Sequence, residues 1–532
     1  MKKTFKTGNP YIWLTGGTLT ISLLMIIGLV ALIMFKGLGI FWPHNITRLM
    51  LHDNSAVLGE VAKREPIPNT NDSYRTKLKL GNRDIYGMDF KWFDDSTILS
   101  HDYPPTALTI ERREWGNMYG FLKGIKHDNG IEPLSLTEMK PLLKESKSIY
   151  KKIRRIEKID IGKINYKMEK YRLELKGLAK QSQTVSTRKK TVSINAKVEA
   201  LDKLYRKKVD TLTNLYTSAK EHKVIIELAD GSEEILPIFQ IIRIYDPNQM
   251  GIYTKSCFYL IKFWEFVSAE PREANTEGGV FPAIFGTVTM VLIMSLAVTP
   301  LGVLTAVYLK EYTRDNVFSR IVRISVNNLA GVPSIVFGVF GLGFFIYFIG
   351  GGIDKLFFSE ALPTPTFGTG GILWASLTLA LLTVPVVVVA TEEGISSVPK
   401  SLKEASYGLG ATKFETLWKV TLPQATPGIL TGMILAMARA AGEVAPLMIT
   451  GVVKLAPSLP LDSYSPFIHL ERKFMHLGFH IYDVGFQSPN VEAALPMVYT
   501  TTLILLMTVL VLNLVAIIVR NRLRKKYVTS AL

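Results

Sequence analysis

Cysteine is almost absent from this chain of 532 residues, which contains only Cys257. A single cysteine cannot form a disulfide within the chain, so the fold cannot depend on a disulfide framework. The eight histidines are scattered, and no nucleophile stands at a catalytic spacing from a base. The motif G-x-x-x-x-G-K-[ST], which cradles nucleotide phosphates, is missing as well. We therefore expect no enzymatic site, no ATP hydrolysis and no bound cofactor in this chain itself.

Acidic residues are fewer than basic ones, with 45 Asp and Glu against 62 Lys and Arg, and the formal net charge is +17. Such an excess is typical of proteins that bind nucleic acid or another acidic surface. Here much of it lies in one stretch, residues 144–223, and more lies beside long apolar segments. This distribution argues against nucleic acid as a partner.

Six apolar segments are each long enough to cross a membrane, which takes about 20 helical residues. The first segment follows a basic start but precedes no small-residue cleavage site, so we expect a retained signal anchor. The fifth segment contains two charged residues. The predicted spans are residues 11–35, 280–309, 324–352, 370–391, 427–453 and 493–519.

Lys and Arg near the ends of the spans predict their orientation, because short cytoplasmic segments are enriched in these residues. With six spans, the basic N-terminal tail, the basic C-terminal tail and two basic loops all fall on one side. Both termini are therefore expected in the cytoplasm. The outward loops would be residues 36–279, 353–369 and 454–492.

Residues 36–279 are predicted to form one inserted α+β domain. Apolar residues at steps of three and four over about 140–222, such as Ile153, Ile164 and Ile194, predict an antiparallel coiled-coil hairpin. Its basic surface could attract phosphate, anionic lipid or a partner protein, or could be an ordinary solvated face. Strands are expected at residues 76–80, 88–93, 224–228 and 235–245, the last two joined by a turn at Asp230-Gly231.

The segment 391–423, between the fourth and fifth spans, is predicted to contain two short helices. Pro399 suits the start of the first helix, and Gly410 allows a turn after it. Pro423 and Pro427 are expected to end the second helix before the fifth span. An amphipathic cytoplasmic helix requires a partner, either the membrane surface or another protein. The apolar stripe of the second helix would consist of Phe414, Leu417 and Trp418.

This segment resembles the cytoplasmic loop of permeases in ATP-binding-cassette importers. The family pattern is Glu-Ala-Ala, three residues, Gly, nine residues, Ile, one residue, Leu-Pro. The chain departs from it mildly, with serine for the second alanine and valine for isoleucine. By resemblance, the loop at about 392–426 contains the coupling helix that docks on an ATPase subunit. The matching positions are Glu404, Ala405, Ser406, Gly410, Val420, Leu422 and Pro423.

The flanking stretches are similar to phosphate permeases of the PstA type, which belong to the family of binding-protein-dependent inner membrane components. The resemblance covers about residues 280–520 and the first span. The inserted domain departs from the short form and is similar to the N-terminal extension of long forms, for which no role is carried over. The similar stretches are residues 300–312, 328–338, 391–393 and 438–447.

The resemblance implies a mainly α, polytopic membrane protein, with six transmembrane helices forming a type I importer permease core beside the inserted α+β domain. It implies a permease subunit of an ATP-driven phosphate importer in a bacterial inner membrane. The expected partners are an ATPase subunit of the PstB type, which would use the ATP, a second permease of the PstC type, a phosphate-binding protein of the PstS type, and membrane lipid. The expected domains are residues 1–35, 36–279, 280–520 and a cytoplasmic tail, 521–532.

Arg439 and Glu443 in the fifth span are the candidate phosphate contacts, because charges at membrane depth usually face a polar interior. Four residues apart, they would share one helix face. Arg439 would contact the phosphate, and Glu443 would pair with Arg439 when the path is empty. The alternative is a permanent structural ion pair. Asn327 and Asn328 are added to the pathway because Pro333 predicts a bend in the third span, with ordinary helix packing as the alternative.

Other interpretations stay open. A permease for molybdate or sulfate would share the coupling loop. A membrane-anchored sensor or scaffold could use the outward hairpin to bind a partner, but it has no need of an ATPase-docking loop. An enzyme is the weakest interpretation, because the histidines are few and scattered. His469, His476 and His480 stand seven and four residues apart in the last outward loop and could share a helix face, but we expect no metal site there.

Overall fold

The computed structural model describes residues 9–68, 73–127, 130–180, 185–313, 316–462, 465–488 and 491–528. The chain divides into two units, Met1–Ile40 with Phe266–Leu532, and Phe41–Glu265. The helices are α1 (Asn9–Leu38), α2 (Arg83–Tyr86), α3 (Leu136–Arg155), α4 (Gly162–Lys180), α5 (Val185–Glu221), α6 (Ile252–Ser268), α7 (Phe281–Val307), α8 (Val317–Leu329), α9 (Ser334–Phe340), α10 (Gly351–Phe357), α11 (Ile372–Ser396), α12 (Lys400–Gly408), α13 (Lys413–Thr416), α14 (Leu422–Gly442), α15 (Ala445–Thr450), α16 (Leu477–Phe486) and α17 (Val491–Val528). The strands are β1 (Ile46–Leu51), β2 (Ala56–Pro66), β3 (Tyr74–Lys79), β4 (Phe90–Asp94), β5 (Ile98–Asp102), β6 (Leu108–Arg112), β7 (Asn117–His127), β8 (Gly130–Glu132), β9 (Lys223–Glu227), β10 (Glu233–Pro237), β11 (Ile241–Tyr245), β12 (Pro271–Arg272) and β13 (Glu277–Gly278).

Six helical runs in the described part of the chain are long and apolar enough to cross a membrane, as the sequence predicts. The third and fifth spans each join two helices through a π-helical segment, and the second span ends in such a segment. The predicted limits of the third and fifth spans are wrong, and both differences bear on the candidate site. The six spans are Tyr11–Phe41, Phe281–Tyr312, Ser334–Phe357, Ile372–Ser396, Lys413–Gly442 and Val491–Lys525.

The third span begins at Ser334 rather than at residue 324, because the helix is broken just before it. α8 is a separate helix, and residues 330–333 intervene between it and α9. Proline has no N–H and disfavours helical backbone at the preceding residue, so Pro333 prevents α8 from continuing into α9. Asn327 and Asn328 therefore lie outside the third span.

The fifth span contains Pro423 and Pro427 within one helical run, so the prediction that they end an earlier helix is wrong. The π turn Leu417–Thr421 ends two residues before Pro423. A π turn changes the hydrogen-bond register, which accommodates the missing N–H and the bulk of the ring. α14 ends at Gly442, and the chain is extended at Glu443 before α15 begins.

The buried core of the membrane unit lies where the second, fourth and fifth spans cross. Small residues at these crossings allow the backbones to approach closely. A β-carbon added to Gly428 would lie 2.7 Å from the Cα of Gly394, and one added to Gly302 would lie 2.6 Å from a methyl of Val387. Side chains larger than hydrogen at these glycines would push the spans apart.

The unit Phe41–Glu265 contains two antiparallel sheets. Their strand orders are β4-β3-β2-β1-β5 and β10-β9-β7-β6-β11, with β8 paired to β7. β9 pairs with β10 across the turn that contains Gly231, at a φ of 81°, and this confirms the predicted hairpin. The predicted strand at 235–245 is in fact two strands, because the turn Ile238–Gln240 separates β10 from β11, which pairs with β6.

The two helical arms of this unit, α3–α4 and α5, run antiparallel. Asp160 pairs with Lys208 at 2.6 Å, and Glu157 accepts a hydrogen bond from the hydroxyl of Tyr216 at 2.8 Å. Residue numbers therefore rise along one arm as they fall along the other. The end of the hairpin, residues 181–184, lies outside the described residues. The buried residues of the predicted seam are Ile153, Ile164 and Ile194.

Candidate functional site

The membrane unit contains two breaks between helices, one just before the third span and one just after the fifth span. The short helices that follow the two breaks, α9 and α15, pack side by side. A β-carbon on Gly338 would lie 2.8 Å from the Cα of Pro446, and one on Gly341 would lie 3.0 Å from a methyl of Thr450. The two helices therefore run parallel, with both amino ends toward the breaks. Non-helical backbone at membrane depth is tolerated where it is buried in protein or lines a polar cavity, and transporters use such breaks as binding sites.

Arg439 and Glu443 lie at one of these breaks. α14 ends at Gly442, and Glu443 is extended, with φ −78° and ψ 132°. The expectation that both residues share a helix face is therefore wrong, because Glu443 is no longer helical. The two side chains still approach, with 3.9 Å between Arg439 Nε and Glu443 Oε1. Such a separation is the long limit of an ion pair, so the guanidinium is only loosely held.

The exposure of Arg439 contrasts with its neighbours on α14. Its side chain is 37% exposed and that of Glu443 is 24% exposed, whereas Ala436, Ala440 and Ala441 are fully buried in the core. The guanidinium therefore points away from the packed face of the span. A cation in the last turn of a helix is also favoured by the helix dipole.

Asn327 and Asn328 lie at the other break, in the last turn of α8. Both are exposed. Their backbone carbonyls accept hydrogen bonds from the N–H groups of Ala330 and Gly331, at 3.2 Å and 3.0 Å. The observed role of these two residues is thus to close the end of α8.

Arg323 and Glu392 form a second charge pair that the sequence reasoning missed. Arg323 Nη2 on α8 lies 3.7 Å from Glu392 Oε1 on the fourth span. Arg323 stands one turn before Asn327, so both project from one face of α8. That spacing places Arg323 on the same side of α8 as Asn327, but no local signal in the sequence marks Glu392 as its partner.

The predicted coupling loop is two helices joined by a left-handed turn. Pro399 precedes the first turn of α12, as expected. Gly410 has a φ of 83°, a conformation that L side chains rarely adopt. Thr412 then starts α13, since its side chain accepts from the N–H of Glu415 and its own N–H donates to the Glu415 carboxylate at 2.9 Å.

Polar contacts attach this loop to the end of the second span. Lys403 pairs with Glu311 at 2.5 Å. The ammonium of Lys413 donates to the backbone carbonyl of Glu311 and lies 4.9 Å from the ring centre of Tyr312. Within the loop, the hydroxyls of Ser406 and Thr416 are 2.9 Å apart. A force on the loop is therefore transmitted to the second span as well as to its own neighbours.

The apolar residues of the loop divide between an inner and an outer face. Leu417 is buried with residues of the second, fourth and fifth spans. Phe414 and Trp418 are instead exposed, and their rings stack with centroids 6.4 Å apart. Leu409 is 90% exposed. Of the matching family positions, those at the outer surface are Glu404, Ala405 and Gly410, and those half-buried are Ser406, Val420, Leu422 and Pro423.

The three histidines of the last loop have separate environments. His469 contacts two carboxylates, Asp462 at 3.0 Å and Glu471 at 3.2 Å. His476 precedes α16 and accepts a hydrogen bond from a backbone N–H. His480 is buried inside α16 near the pair Lys454–Asp483, whose charged atoms are 3.1 Å apart. Among the described residues, no group of His, Cys, Asp and Glu is arranged to hold a metal.

Acidification is expected to open α16. Burial lowers the pKa of His476 to about 3 and that of His480 to about 4, from an ordinary 6.5, and Asp483 only partly opposes this for His480. Below pH 6.5 the unfolded segment therefore binds more protons than the folded one. Each histidine then lowers the free energy of unfolding of the segment by about 1.4 kcal/mol for each pH unit below 6.5. Amide hydrogen exchange of α16, corrected for intrinsic rates, should accelerate strongly from pH 7 to pH 5. His480→Gln should remove part of this dependence, and equal protection at both pH values would contradict the explanation.

Comparison with known proteins identifies the family. The family described as "binding-protein-dependent transport system inner membrane component" matches residues 298–528. A probable ABC transporter permease of Bacillus subtilis, YqgI, is 32% identical over 260 residues, which cover 48% of this chain and 81% of that relative. The chain belongs to this family of permeases. The family match begins after the inserted unit, Phe41–Glu265.

Phosphate permeases are among the other relatives of this permease. PstA 1 of Mycobacterium tuberculosis H37Rv is 38% identical over 187 residues, which cover 35% of this chain and 54% of that protein. PstA of Mycobacterium leprae is 39% identical over 195 residues, or 36% of this chain and 58% of that protein. The chain thus spans little more than half the length of these PstA relatives.

Solved structures with some likeness include two ABC transporters. One is the methionine transporter MetNI in inward-facing conformations, with 17% identity and a TM-score of 0.33, covering 50% of this chain and 98% of that chain. The other imports alginate, with 14% identity and a TM-score of 0.36, covering 49% of this chain and 83% of that chain.

Proposed function

We propose that this permease conducts phosphate across the membrane and couples its passage to a separate ATPase. The observation that carries the proposal is Arg439, a loosely paired guanidinium in the last turn of the fifth span, where the chain leaves the helix. Guanidinium presents a planar fork of donors that matches phosphate oxygens. The similarity to PstA permeases supports the same substrate.

Glu443 would serve as the exchangeable partner of Arg439. When the path is empty the carboxylate neutralises the guanidinium, and when phosphate arrives the anion takes its place. The third span adds to the attraction, since the amino end of a helix carries partial positive charge and the span begins at Ser334, beside the break. The site should bind weakly, because a transport site must also release its ion.

The coupling loop is the proposed contact with the ATPase. Leu409, Phe414 and Trp418 would enter a groove on an ATPase subunit of the PstB type, which binds and hydrolyses the ATP. Closure of the ATPase would then move the second and fifth spans through Glu311 and Leu417. This movement would shift the path between its outward-facing and inward-facing states. This requires the loop and both termini in the cytoplasm of a bacterial cell, a second permease of the PstC type beside the path, and a binding protein of the PstS type outside.

Uptake and competition test the substrate. The chain, purified with its associated subunits and placed in proteoliposomes, should accumulate radioactive phosphate only with ATP. Unlabelled phosphate should compete at least about tenfold better than sulfate or molybdate, a difference of ~1.4 kcal/mol. Better competition by molybdate or sulfate would assign the other oxyanion. A chain that carries nothing and retains no ATPase would be a membrane-anchored scaffold or sensor.

A further inference from the structure

Helix α6 has its charged residues turned inward and its apolar residues turned outward. Lys262 forms an ion pair with Glu111, and Glu265 pairs with Arg243 at 2.9 Å. Lys255 donates to the side-chain oxygen of an asparagine, Asn45, at 2.6 Å. The charged side chains of this helix thus all bond to polar groups of its own unit.

The opposite face of α6 is exposed and carries no charge. Its residues follow one another at steps of four, three, one and three, which places them along one side of a helix. Tyr253 is 83% exposed and Trp264 is 69% exposed. Soluble surfaces rarely expose so continuous an apolar stripe to water. The stripe consists of Tyr253, Cys257, Leu260, Ile261 and Trp264.

The carboxyl-terminal half of α6 is tied to two membrane spans by the chain itself. Phe41, the last residue of the first span, packs edge-on against Phe263 and Tyr259, with ring centroids 5.6 Å and 6.0 Å apart. Phe41 is three residues beyond Leu38 in the chain, so its Cα lies within about 11 Å of the Cα of Leu38, the last residue of α1. At the same end of α6, twelve residues lie between its last residue, Ser268, and the second span, which begins at Phe281.

We propose that α6 lies in the membrane–water interface, with its apolar stripe in the phospholipid and its charged side on the protein. Trp and Tyr are the residues that favour this layer, since their rings are apolar and their N–H and O–H groups remain near water. Trp42, which lies 6.3 Å from Tyr259 between ring centroids, adds to this aromatic level. The helix thereby seats the inserted unit on the bilayer, whichever anion the permease carries.

The single cysteine of the chain provides the test, because Cys257 lies within the stripe and is exposed. The full chain, with its associated subunits in phosphatidylcholine–phosphatidylglycerol vesicles, is labelled there with an environment-sensitive nitrobenzoxadiazole dye. Nitroxide lipids then quench the dye from near the headgroup or from near the end of the acyl chain. The shallow nitroxide should quench at least about twofold more strongly, as expected for a residue ~5–10 Å below the headgroups.

A matched control moves the dye onto the helical hairpin of the same unit. Cys257→Ser combined with Ser193→Cys places it at an exposed position of α5, where neither nitroxide should quench it. Equal, water-like emission at both positions would overturn the proposal, because the stripe would then face solvent. Blue-shifted emission at Cys257 without quenching by either lipid would overturn it too, because a protein would then cover the stripe.

Discussion

Arg439→Ala is expected to lower phosphate uptake by about 100-fold while the permease still assembles. Removing one member of a charge-assisted contact costs about 2–5 kcal/mol, and an uptake barrier raised by ~2.7 kcal/mol corresponds to this factor. Assembly should survive because the guanidinium is partly exposed and only loosely paired, at 3.9 Å, with Glu443. The measurement is initial uptake per assembled complex in proteoliposomes, and Arg439→Lys should retain an intermediate rate because it keeps the charge without the planar fork.

The double variant Arg439→Ala with Glu443→Ala separates transport from structure. If the pair is only structural, the single variant suffers from an unpaired carboxylate, and removing Glu443 as well should restore uptake. If Arg439 meets the phosphate, the double variant stays as inactive as the single one. Restored uptake in the double variant, or near-normal uptake in Arg439→Ala, would reject the assignment.

Gly410→Val is expected to separate transport from the ATPase. Gly410 has a φ of 83°, and an L residue in the left-handed region costs roughly 1–2 kcal/mol, more when it is β-branched. The turn should relax to another conformation and displace Phe414 and Trp418, which the proposal assigns to docking. Uptake should then fall about tenfold or more, with less ATPase recovered on purification of the permease.

Gly408→Val is the matched control for this variant. Gly408 ends α12 without a positive φ, and a β-carbon at either glycine would meet nothing within 4 Å. The same side chain two residues away should therefore leave most coupling intact. Equal losses at both positions would point to a clash of the added bulk rather than to the backbone turn. Normal uptake with bound ATPase in Gly410→Val would contradict the proposed role of the coupling loop.

Local sequence signals predicted the parts of the site that depend on neighbours in the chain. The turn at Gly410 and the start of α12 after Pro399 follow from the backbone preferences of these residues. The position of Glu443 could not be predicted, because its apolar surroundings resemble a continuing helix. Pro423 predicted the end of a helix, but the helical run continues past it. The preceding π turn makes this possible, and the residues of that turn have no sequence signature.

The membrane class, the six spans, the antiparallel arms and the spacing of the coupling loop were determined by the sequence alone. These features depend on the length of apolar runs, on helical periodicity and on turn residues, all of which are local. Only the tertiary structure decided that the breaks after α8 and α14 are followed by helices that pack together, that Arg323 reaches Glu392, and that α6 turns its charges inward. These three features depend on which surfaces pack together in the folded chain. The residues involved are far apart in sequence, so no local sequence pattern predicts their contact.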